Sequence, residues 1–60
     1  MMTHEMRTAL INIGDNYGYM DDTWPDMVDD MVVCLMNDFD VTEDDAEVMV
    51  DDLFKNGIPR

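Results

Sequence analysis

The stretch Trp24-Pro25-Asp26-Met27-Val28-Asp29-Asp30-Met31-Val32-Val33-Cys34-Leu35-Met36-Asn37-Asp38-Phe39 decides the fold class. Its apolar residues Trp24, Met27, Val28, Met31, Val32, Leu35 and Phe39 recur at spacings of three and four, which puts them on one side of an α-helix. The stripe is broad enough to serve as a core face. Asp26, Asp29, Asp30 and Asn37 take the other side, so acid gathers on a surface and is not scattered. Asp22 or Thr23 is placed to accept from the free N–H groups at the start, and Pro25 fits the first turn. Asp26 there suits the positive end of the helix dipole. Asp38 and Asp40 sit at the end the dipole disfavours for acids, which marks the stop.

Downstream, Thr42 opens a further helix, with Asp45 three residues on as a weaker form of the capping box. Glu43, Asp44 and Asp45 suit its first turn, and Ala46, Met49, Val50, Leu53 and Phe54 form its apolar stripe. Lys55 is expected in the last turn, with Gly57 and Pro59 supplying the stop. Upstream, Met6, Ala9, Leu10 and Ile13 predict a short amphipathic helix opened by Thr3 and ended by Gly14. A strand over Ala9 to Ile13 is the alternative to that helix. Asp15-Asn16-Tyr17-Gly18-Tyr19 then reads as a turn, since Asn and Gly tolerate left-handed backbone angles. The expected fold is all-α, a compact three-helix bundle with short loops, in which residues 1–60 make a single small acidic helical domain.

A chain of 60 residues hides only about 60% of its unfolded surface on folding, so its stability is slim. A hydrophobic content of 47% argues against disorder, while the formal charge of −12 adds self-repulsion. Cys34 is the only cysteine and has no intrachain disulfide partner. The longest apolar run, Met31 to Met36, is far short of the roughly 20 residues of a membrane span. Met1-Met2-Thr3-His4-Glu5 lacks the basic and apolar sections of a secretory signal, so a cytoplasmic location is expected.

Enzymatic chemistry finds little here. His4, the single histidine, and Cys34 have no evident partner for a nucleophilic or general-base arrangement. Paired carboxylates act on glycosides only within a cleft, which three short helices rarely enclose. Asp38-Phe39-Asp40 begins like a calcium loop, but an EF-hand needs Gly sixth and Glu twelfth, where this chain has Glu43 and Met49. No glycine-rich phosphate loop is present. The expectation is a protein that is not an enzyme and has no cofactor and no dedicated metal site.

The carboxylates carry the functional reading. Twelve aspartates and three glutamates face only Arg7, Lys55 and Arg60, and eight aspartates fall in the pairs Asp21-Asp22, Asp29-Asp30, Asp44-Asp45 and Asp51-Asp52. Aspartate is a poorer helix former than glutamate, so solubility alone would favour glutamate. Its short side chain holds charge at a fixed distance from the helix axis, as a phosphate surrogate requires. Acidic proteome composition or salt adaptation would also enrich aspartate. A compact chain of this length spans about 27 Å, so twelve net charges amount to about one per 2.2 Å, against about 1.7 Å for duplex DNA. The outline from Val33 to Phe54 is that of a helix-turn-helix, but six acids precede Lys55 in the would-be recognition helix, so direct nucleic-acid binding is disfavoured.

In size, charge and aspartate usage the whole chain resembles the small acidic nucleic-acid mimics with which phages and mobile elements disable host enzymes, including anti-restriction and anti-CRISPR proteins. No motif is shared with them. The resemblance implies an inhibitor in the host cytoplasm that occupies the basic groove of a nuclease, a CRISPR effector or another DNA- or RNA-binding protein. The candidate partner-binding residues are Asp26, Asp29, Asp30, Asp44, Asp45, Glu47, Asp51 and Asp52, with Val33 and Val48 as apolar anchors among them. Asp21-Asp22 and Asp44-Asp45 lie near helix starts and have a capping account, so the inference rests chiefly on Asp29-Asp30, Asp51-Asp52 and Asp26. The competing class is an interaction adaptor that binds through an apolar patch, with the acids serving solubility. Tyr17, Tyr19 and Trp24 are read either as partner contacts or as the lid of a small core, Trp24 as the latter. A homodimer would bury more surface, although −12 per chain opposes it.

Overall fold

A computed structural model describes residues 2–55, 57 and 58. The helix α1 runs His4–Tyr17, α2 Trp24–Asp38 and α3 Glu43–Leu53, with a single 3₁₀ turn at Asp21–Thr23 leading into α2. No strand occurs among the described residues, so the stretch 8–13 is helical. The result is the expected all-α three-helix bundle, with principal extents of 27 × 19 × 16 Å. Its centre is α2, which packs against both α1 and α3. Leu10, Met27, Met31, Leu35 and Ala46 are fully buried, and Val32, Val50 and Leu53 nearly so. These residues come from the stripes read in the sequence, so the 3.6-residue period located the core.

The helix starts follow capping chemistry at two of three places. Thr3 Oγ1 accepts from the N–H of Met6 at 3.2 Å, and Thr42 Oγ1 from that of Asp45 at 3.3 Å. The start of α2 differs from the expectation, because neither Asp22 nor Thr23 caps it through a side chain. The Thr23 hydroxyl turns back to donate to the Met20 carbonyl at 3.4 Å, and the 3₁₀ turn feeds Trp24 N–H to the Asp21 carbonyl. Pro25 in the first turn needs no partner for a missing N–H.

Gly14 does not end α1, which runs on through Asp15, Asn16 and Tyr17. The stop is Gly18 in the left-handed region (φ 70°), with Gly18 N–H bonded to the Asp15 carbonyl and Tyr19 N–H to the Gly14 carbonyl. That bond pair is a Schellman ending, whose C′ position favours glycine. Gly14 is buried for another reason. A Cβ there would lie 2.5 Å from Cε1 and Oη of Tyr19, so the missing side chain is the seat of that ring. Tyr19 itself has φ 53°, a conformation costly for a non-glycine residue, and is held in it by burial of its ring. The ring meets Phe54 edge-on at 6.3 Å and Trp24 at 6.4 Å, and Trp24 meets Phe54 at 4.9 Å. This aromatic trio closes one end of the core, with Tyr19 buried in it and Trp24 packed half-buried against it.

Two further differences lie at the chain's later turns. Lys55 falls beyond the last residue of α3, where its N–H bonds the Asp52 carbonyl, and Gly57 takes φ 104° only after α3 has ended at Leu53. The stop assigned to Pro59 lies outside the described residues. The end of α2 is where the acids placed it, with Asp38 its last residue and Asp40 left-handed at φ 56°. Aspartate tolerates that angle better than most residues because its side chain bonds locally.

Candidate functional site: the acidic α2–α3 groove

Every one of the fifteen carboxylates is exposed, and no charged or polar side chain is buried among the described residues. The sequence-read candidates Asp26, Asp29, Asp30, Asp44, Asp45, Glu47, Asp51 and Asp52 all reach the surface. Val33 is 50% exposed and Val48 68%, as their helical projection requires. What the sequence leaves unstated is which of these residues meet.

A groove of roughly 700 Å³ runs between α2 and α3. Trp24, Val28 and Val32 of α2 and Val50 and Phe54 at the α3 side form its apolar floor. Asp29 rims it from α2, while Glu43, Asp44, Glu47 and Asp51 rim it from α3. Val48 stands among these acids at the edge. No lysine or arginine is among the described residues that line it. The five carboxylates therefore share a concave surface that no lysine or arginine lines, while Lys55 borders Asp51, Val48 and Phe54 in an adjoining hollow. Counter-ions relieve their repulsion across the groove.

The two interior aspartate pairs split. Consecutive residues on a helix point about 100° apart, so Asp29 turns to α3 while Asp30 turns to α1 and accepts a hydrogen bond from the Tyr17 hydroxyl. That bond, some burial and the charges of Asp30 and Asp26 push the Tyr17 phenol above its ordinary value. Asp51 likewise lines the groove and Asp52 does not; Asp52 reaches a hollow with Asp45, Val48, Met49 and Met2, and the two share a further one with Val48, Phe54 and Lys55. Asp26 and Val33 do not line the groove. The acids thus form a covering surface in which Asp29, Asp44, Glu47 and Asp51 gather at one concavity. Glu43 joins them in the lining although it is not among the sequence-read candidates. The groove-lining roles of Val28 and Phe54 were hidden because both belong to core stripes.

Cys34 lies on α2 and His4 on α1. The half-buried Cys34 thiol donates to the Asp38 carboxylate at 3.5 Å, and burial, then that bond and charge, push the thiol up, away from the reactive thiolate. His4 is exposed at the first turn of α1. No group of three or more histidine, cysteine, aspartate or glutamate side chains among the described residues is arranged to hold a metal ion. No helix among them is long and apolar enough to cross a membrane. Compared with protein-family models, curated proteins and solved structures, the chain matches none.

Proposed function

We propose that this chain is an acidic nucleic-acid mimic, an inhibitor that occupies the basic nucleic-acid-binding groove of a host nuclease, CRISPR effector or other DNA- or RNA-binding protein. The observation that carries the reading is that all fifteen carboxylates are exposed on a body 27 Å long. Twelve net charges over that length come to about one per 2.2 Å, close to the linear density of duplex DNA at about 1.7 Å. A basic groove shaped for phosphates would attract this surface with fast, salt-sensitive association. The mechanism is competition: the inhibitor fills the groove and excludes nucleic acid, with no covalent step.

The test begins with capture of host proteins on the immobilised chain at low salt and their elution in a salt gradient. Each retained protein is then assayed for binding to labelled duplex DNA or RNA with the chain added. Mimicry expects displacement, and it expects D29N, D30N, D51N and D52N together to weaken capture and flatten its salt dependence. Retained proteins that keep their nucleic acid, or an unchanged affinity of the fourfold variant, would overturn it.

The exposure of Val33 and Val48 favours a second reading, an interaction adaptor in which apolar contact provides the affinity. Under that reading V33S with V48S loses the partner. Under mimicry the same pair of changes loses much less.

A further inference from the structure

We propose that the α2–α3 groove is the docking seat for a short basic amphipathic helix of the partner, with apolar side chains on its floor and Lys or Arg side chains on its rim. The inference rests on the mimic reading for its cationic partner and adds where and in what form that partner is gripped. Two features of the groove define the chemistry of the occupant. The floor is apolar and incompletely covered, since Trp24, Val28 and Phe54 remain half-buried although they belong to the core stripes. The rim is acidic on both sides, with Asp29 facing Asp44, Glu47 and Asp51. A ligand must therefore be cationic at its edges and apolar along its centre, which excludes nucleic acid and acidic segments.

Helix geometry sets the length. The floor repeats at four-residue steps from Trp24 through Val28 to Val32, about 12 Å along α2 at 1.5 Å per residue. On α3 the lining runs from Glu43 to Phe54, about 16 Å. Such a channel between neighbouring helices takes two to three turns of a third, whose anchors recur at i, i+3 or i+4 and i+7. Polybasic chains without an apolar face satisfy the rim and leave the floor wet. A second copy of this chain brings −12 to an already acidic rim, so self-association is the poorer occupant.

Trp24 is the only tryptophan and lies on the floor, so its fluorescence reports occupancy directly. Two peptides of equal length and equal lysine content serve as probes, one with leucines on a helical stripe and one with serine at each of those positions. The leucine peptide is expected to bind about tenfold tighter or more, because burying even one leucine on the floor is worth that factor. It alone is expected to shift Trp24 emission and shield it from a soluble quencher. Charge reversal at the exposed rim, E47K with D51K, should remove that advantage. The same change in net charge made elsewhere, D15K with D22K, should lower the affinity of both peptides alike.

Equal affinities with an unshifted Trp24, or equal effects of the two charge reversals, overturn the groove while leaving salt-sensitive mimicry standing. A concentration-dependent dimer that shields Trp24 without peptide overturns it in favour of a second copy. Tight leucine-peptide binding, together with a captured partner that keeps its nucleic acid, supports the groove and removes mimicry, so the two readings fail separately.

Discussion

Along the α1 side of α2, Tyr17 donates to Asp30 and the Tyr19 ring fills the space over Gly14; along the α3 side, Asp29 faces four α3 carboxylates across an open groove. The two sides grow from one helix and share one apolar stripe, yet one is closed by polar and aromatic contacts and the other by the stripe alone. On the α1 side the neighbouring element supplies a hydroxyl donor and a vacant Cβ position. On the α3 side Phe54 meets Trp24 at 4.9 Å, but the polar side chains that line the groove are all acids, which cannot close on one another. The contrast teaches that neighbouring exposed aspartates differ in availability: Asp30 already has an internal donor, whereas Asp29 lines a surface with only acids and apolar side chains beside it.

The largest effect is expected where both sides meet. Leu35 is fully buried beneath them, and L35A should cost about 2–5 kcal/mol. A domain of this size has about 3–9 kcal/mol in all, so urea denaturation should find much of the variant unfolded. A loss below about 1 kcal/mol would mean that the two sides do not share a core. Next comes G14A, which breaks the α1 side alone. The added Cβ displaces a ring held against Trp24 and Phe54, an overpacking cost of about 1–3 kcal/mol, against a helix-propensity gain of about 1 kcal/mol. Net destabilisation with loss of near-ultraviolet dichroism is the expected result, whereas a net gain would show that Tyr19 moves aside at no cost. A substitution on the groove rim such as E47Q should stay within about 0.5 kcal/mol, because it touches no packed feature.

The three helices and their buried stripes were legible because a 3.6-residue period survives any arrangement of neighbours. The length of α1 was not, for a glycine reads as a stop from local propensity, and Gly14 is explained only by a ring five residues later in the chain. The start of α2 was misread for a similar reason, since Thr23 has the side chain of a cap but its hydroxyl is drawn to Met20. Exposure of Val33 and Val48 followed from projection onto a helix. The partition of Asp29 from Asp30 did not, because it depends on which side of α2 each neighbour occupies, and a single amphipathic stripe leaves that handedness open.

Capping sharpens the comparison at a smaller scale. Thr42 Oγ1 satisfies a backbone N–H at the start of α3, next to the groove acids Glu43 and Asp44, so T42A should cost about 1 kcal/mol. T23A should cost less than half of that by the same denaturation, since its hydroxyl satisfies no free N–H of α2. Equal losses would mean that the 3₁₀ turn depends on the Thr23 hydroxyl as much as α3 depends on its cap.

The smallest effect is expected in alkaline solution, and it belongs to the α1 side. The Tyr17 phenol is raised from 10.0 chiefly by its bond to the Asp30 carboxylate, and Cys34, one turn on from Asp30, is raised from 9.0 chiefly by burial and then by Asp38. A raised folded value means that the unfolded chain gives up its proton first as pH rises. The stabilisation from each group is therefore complete below its unfolded value and is lost as pH climbs through the folded one, from about pH 9 for Cys34 and about pH 10 for Tyr17. Exposure of the Tyr17–Asp30 pair to water keeps its share small. The urea midpoint should drift downward over this window, and Y17F with C34A should flatten that part of the drift. D30N should bring tyrosinate absorbance from Tyr17 in at lower pH, whereas D29N, on the groove side of the same helix, should leave it almost in place. If the two asparagine variants shift Tyr17 equally, the aspartates act as a diffuse field, and the division of α2 into a closed side and an open side has no electrostatic meaning.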